Sequence, residues 1–398
     1  MTMAGTERLV LFHSGLDTLD LFSGQLRQGF EALGYEIFSF DLTQSARSLG
    51  LLYDCIRDGR ITAMIGFNTP FFGMRLPSGV NMWEALDIPC VNILVDHPYW
   101  YHDILMRTPR TGIVLCIDRN HARYVERFYP DIPCTGFFPH GGAPAHAAPK
   151  PLHERKIDVL YAGSLLADYA LSQKPDFSHL PFPAEEICEA SIARLLSHPE
   201  YTIESVVEEQ LLHAGIVVPD GQLRQFISSC VYIERVVSSH YREKIVSSIA
   251  KAGISLTIYG DGWSSCDWIG LPNVHYGGRI LPEAVLEKME DSRIVLNTLP
   301  WFKDGSHERV FNAMLRGAAV VSETSLYLEE CLPTGSWFPF DLLPDSLCAL
   351  PERIRSLLSD RQALQDTAAA GYRLAASKHT WQARAEELHR DLLSQLKL

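Results

Sequence analysis

Residues 297–322 hold the densest collection of groups able to do chemistry in the chain. An apolar run ends at Thr298, a polar loop reaches Gly305-Ser306, and a helical pattern opens with His307, Glu308 and Arg309. Ser306 has the residue type of an N-cap, and Arg309 falls in the first turn. A helix start offers unpaired backbone N–H groups and the positive end of the peptide dipole. With a guanidinium beside them, these are the components of a phosphate cradle. Arg316-Gly317 closes the helix, and 318–321 returns to a strand. A capped helix alone is ordinary in an α/β protein. The cap, the Ser-His-Glu-Arg run and the Ala-Met-x-x-Gly-x-x-Val-Val ending together ask for more.

Three further turns follow apolar strands. Gly163-Ser164 comes directly after 159–162, where a missing Cβ lets the backbone approach a ligand. Tyr259-Gly260-Asp261-Gly262 ends a second strand, and Gly277-Gly278-Arg279 a third. In the first half, His13-Ser14-Gly15-Leu16-Asp17 follows a strand, with Asp17 read either as a reactive carboxylate or as a plain N-cap. The cluster Asp96-His97-Pro98-Tyr99-Trp100-Tyr101-His102-Asp103 mixes aromatic rings with carboxylates, a combination that can stack on and hydrogen-bond a polyhydroxy ring. His97 and His102 have the alternative of packed or surface histidines. Their spacing is not the i, i+4 pair of a helical zinc site, no CxxC occurs, and no metal is expected.

Positioning these groups requires strands alternating with crossover helices, the pattern of parallel α/β sheets. Strands are expected over 8–13, 36–41, 61–68, 90–95, 113–117 and 135–138. Helices are expected from about 17 to 33, over 46–60 and over 120–129. Gly and Pro crowd 140–155, the best linker in the chain. A second series follows, with strands over 156–162, 255–259, 273–276, 294–298 and 318–322. Between its first two strands lies a helical block over 185–197, 203–214 and 221–250. A final helix is expected over 381–396.

The 297–322 run resembles the donor-site signature of GT-B glycosyltransferases, specifically the CgeB-like (spore-maturation-type) members of glycosyl transferases group 1. The likeness spans roughly 156–380, with the acidic segment Tyr327-Leu328-Glu329-Glu330 following the run as in that family. It implies an α/β fold of two Rossmann-like domains facing across a cleft. These would be an acceptor-side domain at 1–150 and a nucleotide-sugar domain at 151–380, with a helical insertion at about 166–235. Residues 381–398 would pack back on the first domain. The resemblance further implies that Gly163, Ser164, Tyr259, Gly260, Arg279, Gly305, Ser306, His307, Glu308 and Arg309 surround the donor. Related families place a ribose-holding glutamate where this chain has Asn312, so either Asn312 or Glu308 takes that role. Asp17, His97 and Asp96 are the catalytic candidates that would activate or position an acceptor hydroxyl. The donor would be a nucleotide sugar, used as co-substrate without a cofactor. The acceptor would be a glycan, a lipid-linked glycan or a protein.

Composition narrows the alternatives. The 398 residues suit two α/β domains, and 46% hydrophobic with 21% charged residues is a globular profile. A formal net charge of −13, with no basic run, argues against a nucleic-acid or anionic-membrane partner. Nine widely spaced cysteines read as buried free thiols. With neither a leader-like start nor a membrane-length apolar segment, the expected location is the cytoplasm. A homo-oligomer stays open. A nicotinamide enzyme should show Gly-x-Gly-x-x-Gly after its first strand, and the first loop has one glycine. The alternative from another class is a catalytically weak scaffold that binds a partner protein through the helical insertion.

Overall fold

The computed structural model describes residues 7–299 and 301–396. The chain forms two compact units, 1–143 with 377–398, and 144–376. Each is built on one sheet of six parallel strands. The fold class is therefore the α/β one expected from alternating apolar runs.

In the first unit the strands are β1 (Arg8–His13), β2 (Glu36–Asp41), β3 (Ile61–Phe67), β4 (Cys90–Leu94), β5 (Gly112–Cys116) and β6 (Cys134–Phe137), in spatial order β2-β1-β3-β4-β5-β6. Every residue of β3, β4 and β5 is buried, as a parallel sheet covered on both faces demands. Phe12, Phe40, Phe71, Phe72 and Trp83 form an aromatic cluster over one face. The C-terminal segment belongs to this unit. It joins by backbone bonds from Gly142 N–H to the His379 carbonyl (2.7 Å) and from Trp381 N–H to the Gly142 carbonyl (3.1 Å). Trp381 then buries its ring 5.2 Å from Phe22 and 5.6 Å from Phe67. Gly29 makes this seat possible: a Cβ there would lie 2.6 Å from the Ala385 Cβ. The helix expected over 381–396 is α-helical only over Trp381–Leu388 and continues as a π-helical turn, His389–Leu393.

The second unit contains β7 (Ile157–Ala162), β8 (Leu256–Tyr259), β9 (Val274–Tyr276), β10 (Ser292–Asn297), β11 (Ala319–Glu323) and β12 (Phe338–Phe340), ordered β12-β11-β10-β7-β8-β9. The three-residue strand β12 carries no alternating pattern and is absent from the sequence expectation. The helical block comprises Ala167–Ser172, Ala184–Ser197, Ile203–His213, Asp220–Ser229 and Tyr232–Lys251. The single helix expected over 221–250 is thus two, broken at Cys230. The Gly/Pro segment is less free than a linker. Arg155 is buried, and its guanidinium donates to the carbonyls of Lys150, Ser292 and Arg316, pinning the segment to the sheet. All nine cysteines are free, but Cys134 and Cys348 are exposed, contrary to the uniformly buried reading. No helix among the described residues is long and apolar enough to cross a membrane.

Two outcomes test the first unit. Trp381→Ala should lower its stability by about 3–5 kcal/mol, the cost of emptying a buried aromatic site, measured by urea unfolding. Burial, reinforced by the charges of Arg384 and Lys378, holds His379 down to about 3. The unfolded ring takes a proton near pH 6.5, whereas the folded ring refuses it. This contribution is therefore complete above about pH 6.5 and is lost as pH falls toward 3. Urea midpoints at pH 7, 5 and 4 should decline, and His379→Gln should flatten that decline.

Candidate functional site

In the second sheet, β7 has β8 on one side and β10 on the other, so successive connections depart in opposite directions from its centre. Ligands in open α/β sheets bind outside the carboxyl ends of strands at such a switch point. Here the two ends are joined by a hydrogen bond between the hydroxyls of Tyr161 and Thr298 (2.9 Å).

The turn after β7 is held from all sides. Gly163 N–H donates to the Tyr259 carbonyl (2.9 Å), and the Trp263 indole donates to the Gly163 carbonyl (2.7 Å). Ser164 Oγ accepts from Asp261 N–H, Ser239 Oγ accepts from Leu166 N–H, and Arg242 Nη1 donates to the Ser164 carbonyl, each at 2.9 Å. Gly163 therefore spends its N–H and one lone pair of its carbonyl on the scaffold. Gly260 is the residue this packing cannot replace. Its φ is +135°, and a Cβ would lie 2.3 Å from the Gly163 carbonyl oxygen. Tyr259 is buried, while Arg279 is exposed with its guanidinium 3.9 Å from Asp261.

The helix Glu308–Leu315 begins one residue later than Ser306 predicts. His307 is its N-cap, with Nδ1 3.3 Å from Arg309 N–H. The same Nδ1 lies 2.5 Å from a Glu308 oxygen, and Nε2 is 2.8 Å from Arg309 Nη2. Burial first, then the Arg309 charge, keep His307 below its ordinary range and so neutral at pH 7. A neutral ring protonated on Nδ1 donates to Glu308 and accepts from Arg309, satisfying both short contacts. Burial also lowers Arg309, with the Glu308 charge opposing. The guanidinium remains a cation.

Ser306, displaced from the cap, is fully buried, and its Oγ has no partner among the described residues. Arg309 Nη1 is likewise buried and unpartnered. Gly305 is buried as well and accepts from Ser325 Oγ. Asn312 is buried on the covered side of the helix, which leaves Glu308 the more accessible of the two residues expected at the ribose.

Sequence reading missed two groups here. Arg242, from the Tyr232–Lys251 helix, is close enough to act electrostatically on His307, Arg309 and Glu323. Glu323, at the end of β11, is buried and accepts from Leu299 N–H (2.8 Å), with Lys303 Nζ 3.8 Å away. Neither belongs to a local motif; only the sheet order brings them to β10.

In the first unit, Asp17 is exposed at the start of the Asp17–Ala32 helix, whose N-cap position is Leu16. Asp20 does the local work instead, accepting from Ser14 N–H, Ser14 Oγ and Gly15 N–H. His97 departs furthest from its expected role as an acceptor-activating base. Its ring is 2% exposed, stacks on Tyr99 at 3.8 Å, and caps the next turn through Nδ1. Burial holds it well below the ordinary histidine range, so it is a neutral scaffold group. Asp96 is exposed just beyond β4, with Oδ2 accepting from Tyr101 OH (2.6 Å) and Asn68 Nδ2 (3.1 Å). Asn68, with φ +46°, sits at the end of β3, and its strained backbone is a signal that sequence alone does not carry. Among the described residues no three His, Cys, Asp or Glu side chains converge as metal ligands.

Residues 241–390 match the family model described as Glycosyl transferase-like. No curated protein matches the chain in sequence. Among solved structures, a sucrose-phosphate synthase from Thermosynechococcus elongatus is similar at TM-score 0.55 and 12% identity, covering 98% of this chain and 99% of its own. HepE from Anabaena, in complex with UDP and glucose, reaches 0.51 at 12% identity over 98% and 100%. An alpha-glucosyltransferase in complex with UDP and a 13-mer DNA reaches 0.51 at 13% identity over 98% and 100%. The two parallel α/β sheets match the fold of these structures, and residues 241–390 resemble the glycosyl transferase-like family. The matched segment contains Arg242, Gly260, Arg279, Ser306, Arg309 and Asn312, most of the residues gathered around the switch point. Gly260→Ala should force the turns after β7 and β8 apart. A thermal-shift measurement with nucleotide sugars should then show the ligand response greatly reduced, together with a lower unliganded melting temperature.

Proposed function

We propose that this chain is a glycosyltransferase that takes a sugar from a nucleotide-sugar donor and passes it to a hydroxyl of a glycan, a lipid-linked glycan or a protein. One observation carries the reading: two buried donors, Ser306 Oγ and Arg309 Nη1, stand without an acceptor at a helix start beside the switch point. A buried polar group left unpaired costs about 1–3 kcal/mol, and a diphosphate supplies the missing acceptors and opposite charge. Arg309 and the helix dipole would carry the leaving diphosphate's charge, so the mechanism needs no resident metal. Glu308 takes the ribose, and backbone groups of Arg279 and its neighbours hold the nucleobase.

The run 306–321 supports the CgeB-like subtype, and the cytoplasm, where nucleotide sugars are made, is the proposed location. Of the acceptor-side candidates, Asp96 is favoured over Asp17 because Tyr101 and Asn68 orient its carboxylate. The DNA in complex with the similar alpha-glucosyltransferase is not carried over to this chain, since a net charge of −13 opposes it.

A panel of nucleotide sugars, starting with UDP-linked ones, tests the reading by thermal shift. A true donor at one hundred times its dissociation constant stabilises by about 2.7 kcal/mol. Arg309→Ala should cut turnover at least about tenfold and weaken nucleoside diphosphate binding, while leaving nucleoside binding unchanged. Near-normal rates in that variant would remove the diphosphate assignment. Failure of every donor to bind or hydrolyse would leave the partner-binding scaffold.

A further inference from the structure

We propose that His307 is a positioning residue for the transfer reaction: in its neutral form it aims Arg309 at the donor's diphosphate without touching the phosphates itself. The role rests on the donor reading above and separates His307 from the groups that contact the ligand. Two contacts fix the ring's chemistry. Glu308 lies 2.5 Å from Nδ1, and a carboxylate there requires N–H on that nitrogen. Nε2 then carries the lone pair, and Arg309 Nη2, which can only donate, meets it at 2.8 Å. Both ring nitrogens are thus committed within the first turn, and neither is left for a phosphate oxygen. Arg309 Nη1 is the one that stands without an acceptor among the described residues. A guanidinium is planar, so an anchored Nη2 sets where Nη1 points.

The charges around the ring decide what a proton would do. Glu308 and Arg309 face it from the helix it opens, and Arg242 acts on it from the Tyr232–Lys251 helix. The segment after β10 presents the Phe302 ring at 6.0 Å. Burial first, then Arg309, lower the ring's affinity for a proton, with Glu308 opposing, so it is neutral at pH 7. Protonation turns Nε2 into N–H and sets two cations against each other at hydrogen-bond distance, which drives Arg309 off its aim. Donor affinity should therefore fall as pH drops below the ordinary histidine range. A histidine that bound phosphate directly would give the opposite sign, since the diphosphate's charge draws a proton onto it.

Titration calorimetry on the full chain with UDP-glucose, GDP-mannose and ADP-glucose tests this, since their doubly esterified diphosphates have no ionisation of their own in the pH range used. At pH 7.5, His307→Ala and His307→Lys should each weaken whichever compound binds by about tenfold, one charge contact left unaimed. His307→Gln, whose amide can accept from Arg309 and donate to Glu308, should stay within about threefold of the wild type. In an Arg309→Ala background the His307 substitutions should add nothing, because a positioning residue acts only through the group it positions. From pH 7.5 to 5, wild-type affinity should fall while that of His307→Gln holds. Retained binding by His307→Lys, a wild-type affinity that is flat or rises in acid, or a His307→Ala loss that persists without Arg309 overturns the positioning role and leaves the donor reading intact. Silence of all three compounds toward the wild type, or binding indifferent to Arg309→Ala, overturns both.

Discussion

A hydroxyl and a guanidinium N–H sealed from water without an acceptor are a standing cost, and a fold keeps such groups only where something else repays it. At the start of the Glu308–Leu315 helix the cost arises because His307, and not Ser306, caps the helix. An imidazole in that position does three things at once. It covers the first turn, holds Glu308 through one nitrogen and steers the Arg309 guanidinium through the other. Ser306 is thereby released from capping and Arg309 is aimed, leaving both with unused capacity in the same place. Neutrality is essential to the device: a protonated ring would present N–H, not a lone pair, to the arginine. Burial secures that neutrality.

The sheet order turns this local device into a site. With β10 and β7 adjacent, the helix start lies next to the turn after β7, although well over a hundred residues separate them in sequence. Arg242 contributes a cation from a third region of the chain. Arg242 and Arg309 repel one another, and Glu308 and Glu323 offset part of that. Burial pushes Glu323 upward and Lys303 pulls it back.

Most of the scaffold was legible in the sequence because burial on both faces leaves an unmistakable run of apolar residues. Strands β3, β4, β5 and β10 declare themselves this way, and so does the helix ending at Gly317. What stayed hidden depended on distance or on one atom's partner. The Ser306 cap failed because Ser and His can both stand at the N-cap position, and only geometry decides between them. His97 looked reactive beside Asp96, yet strand β4 ends so that the aspartate emerges and the histidine turns inward against Tyr99. Arg155 was hidden inside a glycine- and proline-rich stretch whose composition said linker, while its guanidinium closes three backbone carbonyls. Strand β12 has three residues, too few for any period to show.

The Tyr232–Lys251 helix also changes how the helical block should be understood. An inserted block usually stands apart from the site of its host domain, tolerated because surface insertions cost little. Here the helix that closes the block places Ser239 and Arg242 directly on the turn after β7, satisfying Leu166 N–H and the Ser164 carbonyl. Both side chains rise from the same stretch of one rigid rod, so they cannot shift independently. A displacement of that rod frees two backbone groups and shifts Arg242 away from Arg309 in a single move. The block and the turn therefore share one set of hydrogen bonds, and any force on one is resisted by the other. That shared set ties the position of the Tyr232–Lys251 helix to that of the turn after β7.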